Sequence, residues 1–519
     1  MRAMRRMAHR IGAILLSVPR AGIGRRLSDP APVVRARAGL QAALGLSAGI
    51  AYVEWLHNLL NLPLSVIGLT ALLLILVRPR WTLVVVAALL GGWRYAAWSR
   101  VEPVNPASLP SVAHLRAIGS WEPTRTGGRL LCAFMGEGDA FSRGYALLYF
   151  RPSVAHPPDY GDEFIVRVRW RRPQNPPGIS FDWVRYLQRR RVYYIATVYS
   201  DSQIQKVSSK RASWQRWFLQ MRRSLRHLLH ARLTREDAAV MEGMMVGATG
   251  DFPHALREAF MRSGIGHLLS TSGLHVAMAL QMLEWLLVWV FAPFRGRVIL
   301  LILAAWGYAL LAGLRPPIVR AATMANLYLM APLLRREADG LSALGWAATF
   351  WLLYAPYALF EVGFQYSFCA VLFILLFYRR VERILREGWA IFVRQGWLRS
   401  VGERLLCPLL SVSLCAQAGI GFVQLYHFGY LSLLSPVANL LAAPAAYLAL
   451  ALGGFFWLSQ GVGVLPIEVT CAWLKWVALA FGAEWVPAIR VDSLPWWVIL
   501  GFYGLVLFFA REPHAGEES

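Results

Sequence analysis

Acidic residues and lysine are both scarce in this chain. It carries 29 Asp and Glu against 53 Lys and Arg, and only Lys206, Lys210 and Lys475 among those cations are lysines. The resulting net charge of +24 predicts affinity for anionic lipid or for a polyanion, although a bias toward arginine is also what genomic base composition can produce. Cysteine is sparse too. The five cysteines are scattered, with no CxxC pair and no Cys/His spacing, which excludes zinc ribbons and fingers. Cys132 stands alone in a soluble-looking stretch, so that stretch holds no internal disulfide. No GxxxxGK[ST] loop is present, so ATP is not expected to be bound here. No HExxH is present, and the serines of "HLLSTSGLHV" do not form a GxSxG elbow, which argues against metalloprotease and serine-hydrolase chemistry there.

What the sequence has in quantity is apolar length. It is 57% hydrophobic and only 16% charged, with a mean hydropathy of +0.45, well off the composition of a soluble domain. Nine arginines between Arg2 and Arg37 precede the first apolar segment and place the N-terminus in the cytoplasm. The leading segment is too long and lacks a small-residue cleavage site, so it reads as a retained anchor. Apolar segments follow at Ala38 to Leu56, Leu62 to Val77 and Trp81 to Trp98. Arg78 and Arg80 lie in the second turn, and no Arg or Lys lies in the first. Three crossings deliver the chain to the outer face near residue 100.

Between Val101 and about Ser200 the pattern changes to short runs rich in Val, Ile, Tyr and Phe: "VAHLRAIGSW", "RLLCAFM", "RGYALLYF", "DEFIVRVRW" and "RVYYIATVY". Five runs predict a five-stranded OB-like barrel. In "EFIVRVRWR", Phe164, Val166, Val168 and Trp170 share one face, and Arg167, Arg169 and Arg171 the other. That arginine row is either a solvated face or a polyanion groove. Next, "WQRWFLQMRRSLRHLLHARL" reads as an interfacial helix, with Trp217, Met221, Leu225 and Leu229 on its apolar side and Arg216, Arg222, Arg223 and Arg226 opposite.

From about Ile265 to Ala510, eight to ten apolar segments form a second membrane region, whose cytoplasmic loops are expected at Arg295 to Arg297, Arg335 to Glu337 and Arg379 to Arg404. The stretch "LLSPVANLLAAP", Leu433 to Pro444, predicts a broken helix. The overall expectation is a polytopic α-helical membrane protein with an inserted OB-like β-barrel extracytoplasmic domain. Its parts are an Arg-rich cytoplasmic N-terminus (1–37), N-terminal transmembrane helices (38–100), the OB-like domain (101–203), interfacial helices (204–262), a polytopic region (263–511) and a polar tail (512–519).

Polar residues inside the apolar stretches carry the functional question. "HLLSTSGLHV" holds His267, Ser270, Thr271, Ser272, Gly273 and His275. Further along are Arg320, Glu361, Gln365, Gln417, Gln424, His427 and Asn439. Such groups are costly in hydrocarbon and mark a reaction site, a wet path or polar links between helices. The two histidines lack a nearby carboxylate, so no metal site is predicted. Their distribution without a catalytic cluster favours a hydrated conduit, with an Arg320–Glu361 pair as one structural option.

These residues resemble those of the ComEC competence proteins, membrane channels for single-stranded DNA in natural transformation. "ALREAFMRSGIGHLLSTSGLHVAM", "LLAGLRPPIVRAATM", "FEVGFQYSF" and "YHFGYLSLLSPVANLLAAP" occur in the family's order, and "NPPGISFDWVRYLQRRRVYYIA" is similar to the close of its OB-like domain. The resemblance implies a channel-lining or signature role for His267, Ser270, Ser272, Gly273, His275, Arg320, Glu361, Gln365, His427 and Asn439. It implies contact with a DNA strand for Arg167, Arg169 and Arg171, and a setting in the inner membrane with the OB-like domain on the periplasmic face. No cofactor, metal or catalytic residue is implied. The partners implied are single-stranded DNA, membrane lipids, an outer-face DNA receptor, a cytoplasmic motor and a separate nuclease, because no HxHxDH motif is present and the chain reads as a short form. Where the family often has Asp-Pro this chain has Glu361-Val362, and "GATGD" from Gly247 replaces the usual Gly-Asp turn. The alternatives are an intramembrane hydrolase or transferase of envelope lipids using His267, His275 and Ser272, and a membrane assembly scaffold.

Overall fold

A computed structural model describes residues 38–59, 82–99, 105–119, 121–124, 127–135, 144–175, 182–209, 213–247, 252–290, 293–393, 395–492 and 494–509. The expected Leu62 to Val77 segment, the arginines before Ala38 and the polar tail lie outside these residues.

Small residues bring the first two described helices together. On α1 (Ala38–Leu59), Gly45 and Gly49 sit where a Cβ would fall 2.2 Å from the Val84 carbonyl and 1.8 Å from the Ala88 carbonyl of α2 (Thr82–Ser99). Such close backbone approach is how helices associate where no hydrophobic drive separates helix from lipid.

The stretch that follows is a sheet. Its strands are β1 (Val112–Ala117), β2 (Glu122–Thr124), β3 (Gly127–Phe134), β4 (Tyr145–Phe150), β5 (Asp162–Arg167), β6 (Val192–Val198) and β7 (Ile204–Ser209). The order is β6-β4-β3-β1-β5-β7, with β2 beside β3; β4 and β6 run parallel and the other pairs antiparallel. This corrects the expected closed OB-like barrel. The sheet is open, with β6 and β7 at opposite edges and a single bridge, Arg171 to Ile195, beyond the β5 ladder. All five runs are strands, but β7 occupies the free edge of β5, where a barrel would have to close. The period-two pattern holds: Phe164, Val166, Val168 and Trp170 are buried, and Arg167, Arg169 and Arg171 are exposed. Between β5 and β6 lies a short helix, α3 (Trp183–Arg189).

The rest is helical: α4 (Ser213–Arg232), α5 (Arg235–Val246), α6 (His254–Arg262), α7 (Gly273–Trp289), α8 (Phe294–Leu311), α9 (Pro316–Leu333), α10 (Gly340–Tyr354), α11 (Val362–Phe392), α12 (Trp397–Val401), α13 (Cys407–Phe428), α14 (Ser435–Leu458), α15 (Val464–Phe481) and α16 (Trp496–Phe509). Among the described residues, α8, α11, α14, α15 and the run Trp397–Phe428 are long and apolar enough to cross a membrane. The protein is a multi-pass α-helical membrane protein. Most of the expected Arg379 to Arg404 loop is helix, because α11 runs on to Phe392 and the helical run to Phe428 begins at Trp397. The expected break in "LLSPVANLLAAP" lies earlier than its prolines. Chain reversal occurs at Gly429 and in β8 (Tyr430–Ser432), which pairs with β9 (Ala488–Arg490), whereas Pro436 starts α14 and Pro444 is accommodated within it. Pairing β8 with β9 satisfies backbone groups that would otherwise be bare beside the helices.

Candidate functional site

The motif from Gly264 to His275 is a descent into the bundle followed by a helix start. Gly264 (φ +80) lies against α14, where a Cβ would stand 2.3 Å from that of Ser435. A tight turn over Gly266–Leu269 follows, and its Leu268 and Leu269 join the apolar core with Ala438, Ala442 and Cys471. Ser272 then caps α7. The Ser272 hydroxyl and backbone N–H both lie on His275 Nδ1, at 3.0 and 3.2 Å, while the Ser272 side chain accepts the His275 backbone N–H. This is a capping box with histidine in the place usual for Glu or Gln. Because Nδ1 accepts a backbone N–H, the proton is assigned to Nε2, which is buried and partnerless among the described residues.

A serine beside a histidine invites a nucleophile reading. Both groups are committed to the helix start, and no carboxylate hydrogen-bonds to the ring among the described residues. Nor does any group of three or more His, Cys, Asp or Glu among them have a metal-holding arrangement. His267 is exposed and, among the described residues, hydrogen-bonds only to the Gly264 carbonyl, 3.3 Å. Ser270 and Gly273 are exposed, and Thr271 is buried.

The remaining polar residues link successive helices. Arg320, 2% exposed on α9, donates to the Gly363 carbonyl at the start of α11, 2.6 Å. Gln365 of α11 accepts from His427 Nε2 of α13, 2.9 Å. Gln417 of α13 accepts from the Ser435 hydroxyl of α14 and donates to the Ser432 carbonyl, 2.8 Å. Asn439 is half-buried one turn into α14. Helix α14 packs on α7, and α7 packs on α9 with Gly273 against Ala321. Helices α7, α9, α11, α13 and α14 thus close a ring, each touching the next.

The suggested Arg320–Glu361 pair is replaced by another. Glu361, the N-cap residue of α11, is bound by Arg190, 2.6 Å, from the loop after α3. Its neighbours act alongside it. Arg189 reaches Glu54 of α1 at 2.8 Å, where Arg185 and the Tyr95 hydroxyl also bind, and its guanidinium stacks over Phe360 at 4.3 Å. Arg191 donates to the Trp98 and Ala97 carbonyls, 2.9 and 3.2 Å, capping the C-terminal end of α2. Asp182 caps α3; the Arg185 backbone N–H, more than Asn175 or the nearby arginines, holds its carboxyl below the usual range. Three consecutive arginines therefore fasten the sheet to α1, α2 and α11.

Residues 244–515, more than half of the chain, match the competence protein family. The chain belongs to that family. Over 268 residues this competence protein is 29% identical to ComE operon protein 3 of Bacillus subtilis (strain 168), covering 52% of its own length and 32% of that protein. It is 31% identical over 258 residues to Competence protein ComA of Neisseria gonorrhoeae, covering 47% and 34% of the two chains. An uncharacterized protein of Aquifex aeolicus (strain VF5) is 32% identical over 132 residues, 25% of this chain and 31% of that one. The matched stretches span about a third of each relative's length. No solved structure matches.

In this competence protein the ring and its motif fall inside the matched residues, whereas Glu54 and the arginines of the clasp lie before them. Sequence reasoning passed over Arg189, Arg190 and Arg191, although the run stands out in "YLQRRRVYY". The Glu361-Val362 departure from Asp-Pro falls at a helix start. Position 362 is the first residue of α11, where a proline starts a helix.

Proposed function

We propose that this competence protein conducts one strand of DNA across the cytoplasmic membrane during transformation. The observation that carries this reading is the closed ring of α7, α9, α11, α13 and α14, whose members bring Ser272, Arg320, Gln365, Gln417, His427 and Asn439 into an otherwise apolar bundle. A polyanion cannot cross dry hydrocarbon, so a path for it needs a polar enclosure of this kind. Relatives named for competence support the same reading. In it, the strand first meets the open sheet on the outer face, where exposed Arg167, Arg169 and Arg171 neutralise phosphates independently of sequence. In this reading the driving force comes from a separate motor, because the sequence holds no GxxxxGK[ST] loop.

The test is a deletion strain in a transformable host, given labelled DNA and scored for strand entry into the cytoplasm. Loss of entry, restored by the intact gene, is the expected result. Undiminished entry overturns the proposal. For the hydrolase alternative, purified protein that cleaves envelope lipid, and loses this on His275→Ala with membrane insertion intact, would replace it.

A further inference from the structure

Helix α11 is longer than a membrane crossing needs. Its apolar part ends at Tyr378, and exposed Arg379 and Arg380 follow. The stretch from Val362 to Tyr378 rises about 25 Å, most of a hydrocarbon core. The turns from there to Phe392 rise about 21 Å more, whereas a headgroup layer is roughly 5–8 Å deep. The helix is continuous and holds no proline, so it cannot cross the membrane and then lie flat on it. Even at a tilt of about 40° its end stands about 16 Å beyond the hydrocarbon. The returning helical run stays beside it over this length. Gly419 packs where a Cβ would lie 2.6 Å from the Cys369 carbonyl, and Gly402 where one would lie 2.0 Å from Trp389 Nε1.

The tip of this hairpin is apolar. Ile391, Phe392 and Trp397 are 75, 87 and 73% exposed, and Leu398 is 50% exposed. The surroundings carry one sign of charge: between Arg379 and Leu406 the sequence holds seven arginines and three glutamates. Two of the glutamates are engaged within the hairpin, Glu382 by Arg386 at 2.5 Å and Glu403 by Arg399 at 2.8 Å. Exposed Arg379, Arg380, Arg383 and Arg404 have no carboxylate partner among the described residues. The arginine excess assigns this end to the cytoplasmic side. A large apolar patch in water, rimmed by charge, is the mark of a surface that another molecule covers.

We propose that the tip of the hairpin between α11 and α13 docks a cytoplasmic protein that presents an apolar groove rimmed by acidic residues. Phe392 and Trp397 are the anchors in that groove, and the arginines of both helices meet carboxylates at its rim. The length of α11 keeps the tip out of reach of the lipid surface. A second copy of this chain would set the same arginines against each other, and like charges across an interface oppose binding. A nucleic-acid strand would match the charge, but it grips flat aromatic faces, and Ile391 and Leu398 offer none.

The experiment uses the full chain in the membrane of its living host, with the photo-crosslinker p-benzoylphenylalanine in place of Phe392 or, as a control, of exposed Val469 on the membrane-length helix α15. After irradiation, the probe at Phe392 is expected to give one protein adduct whose crosslinked peptide lies among Asp and Glu residues, and the probe at Val469 to give lipid adducts. The protein adduct must also follow charge. Arg383→Glu with Arg404→Glu is expected to lower its yield at least about tenfold, and Arg383→Lys with Arg404→Lys to preserve it. If the Glu pair fails to accumulate in the membrane, Arg383→Gln with Arg404→Gln makes the same comparison with a smaller loss. A yield that ignores these exchanges, or a captured peptide without acidic neighbours, overturns the proposal. So does a probe at Phe392 that captures lipid, nucleic acid or another part of this chain, or that captures nothing.

Discussion

Arg190 and Glu361 meet at 2.6 Å, joining the loop between α3 and β6 to the first turn of a ring helix. Both are mostly withdrawn from water, 34% and 13% exposed, while Arg189 at the end of α3 and Arg191 just after it hold α1 and α2. The sheet therefore has a fixed position over the bundle. Arg190→Glu is expected to lower the thermal midpoint in detergent, and the swap with Glu361→Arg to recover part of it. The coupling energy should be roughly 1–3 kcal/mol by double-mutant cycle. Additive effects would mean that the pair contributes nothing beyond its separate residues.

His275 acts as a capping side chain for α7. Gln is a regular capping-box residue, so His275→Gln should stay within about 0.5 kcal/mol of the unmodified protein, while His275→Ala should lose about 1 kcal/mol. Equal damage from both substitutions would show that the buried Nε2–H, rather than the cap, is what the protein needs. Chemical denaturation followed by tryptophan fluorescence distinguishes the two.

Gly264 combines a left-handed backbone with contact on Ser435. Gly264→Ala is expected to cost at least about 2 kcal/mol through strain and overlap together. Adding Ser435→Gly removes the overlap but not the strain, so it should restore only part of the loss. Full restoration in a melting experiment would assign the whole effect to packing.

Cys132 lies wholly buried in β3, and burial pushes its thiol pKa far up. The unfolded thiol ionises near pH 8.5, so stability linked to this group is complete below that pH. Above it, the unfolded state gains a thiolate that the folded state resists, and stability should fall by about 1.4 kcal/mol per pH unit until the folded thiol itself ionises. Comparing Cys132→Ala with the unmodified chain between pH 8 and 10 isolates this slope. Identical slopes would mean that the thiol is open to solvent. Maleimide should label Cys132 only after unfolding.

By itself the sequence determined the membrane class, the positions of the five strand runs, the buried and exposed faces of "EFIVRVRW", and the residues of the motif. These follow from composition and from periods of two and 3.6, which are local properties. Tertiary structure alone decided that the sheet stays open, because β7 pairs with β5 across the 36 residues that separate the two strands, in no local pattern. It also decided the partners of each polar group. Arg320 and Glu361 are both charged residues of one apolar region, and nothing in their spacing forbids a pair. Which partner each takes depends on the loop that carries Arg190, 171 residues before Glu361, and on its approach to the bundle.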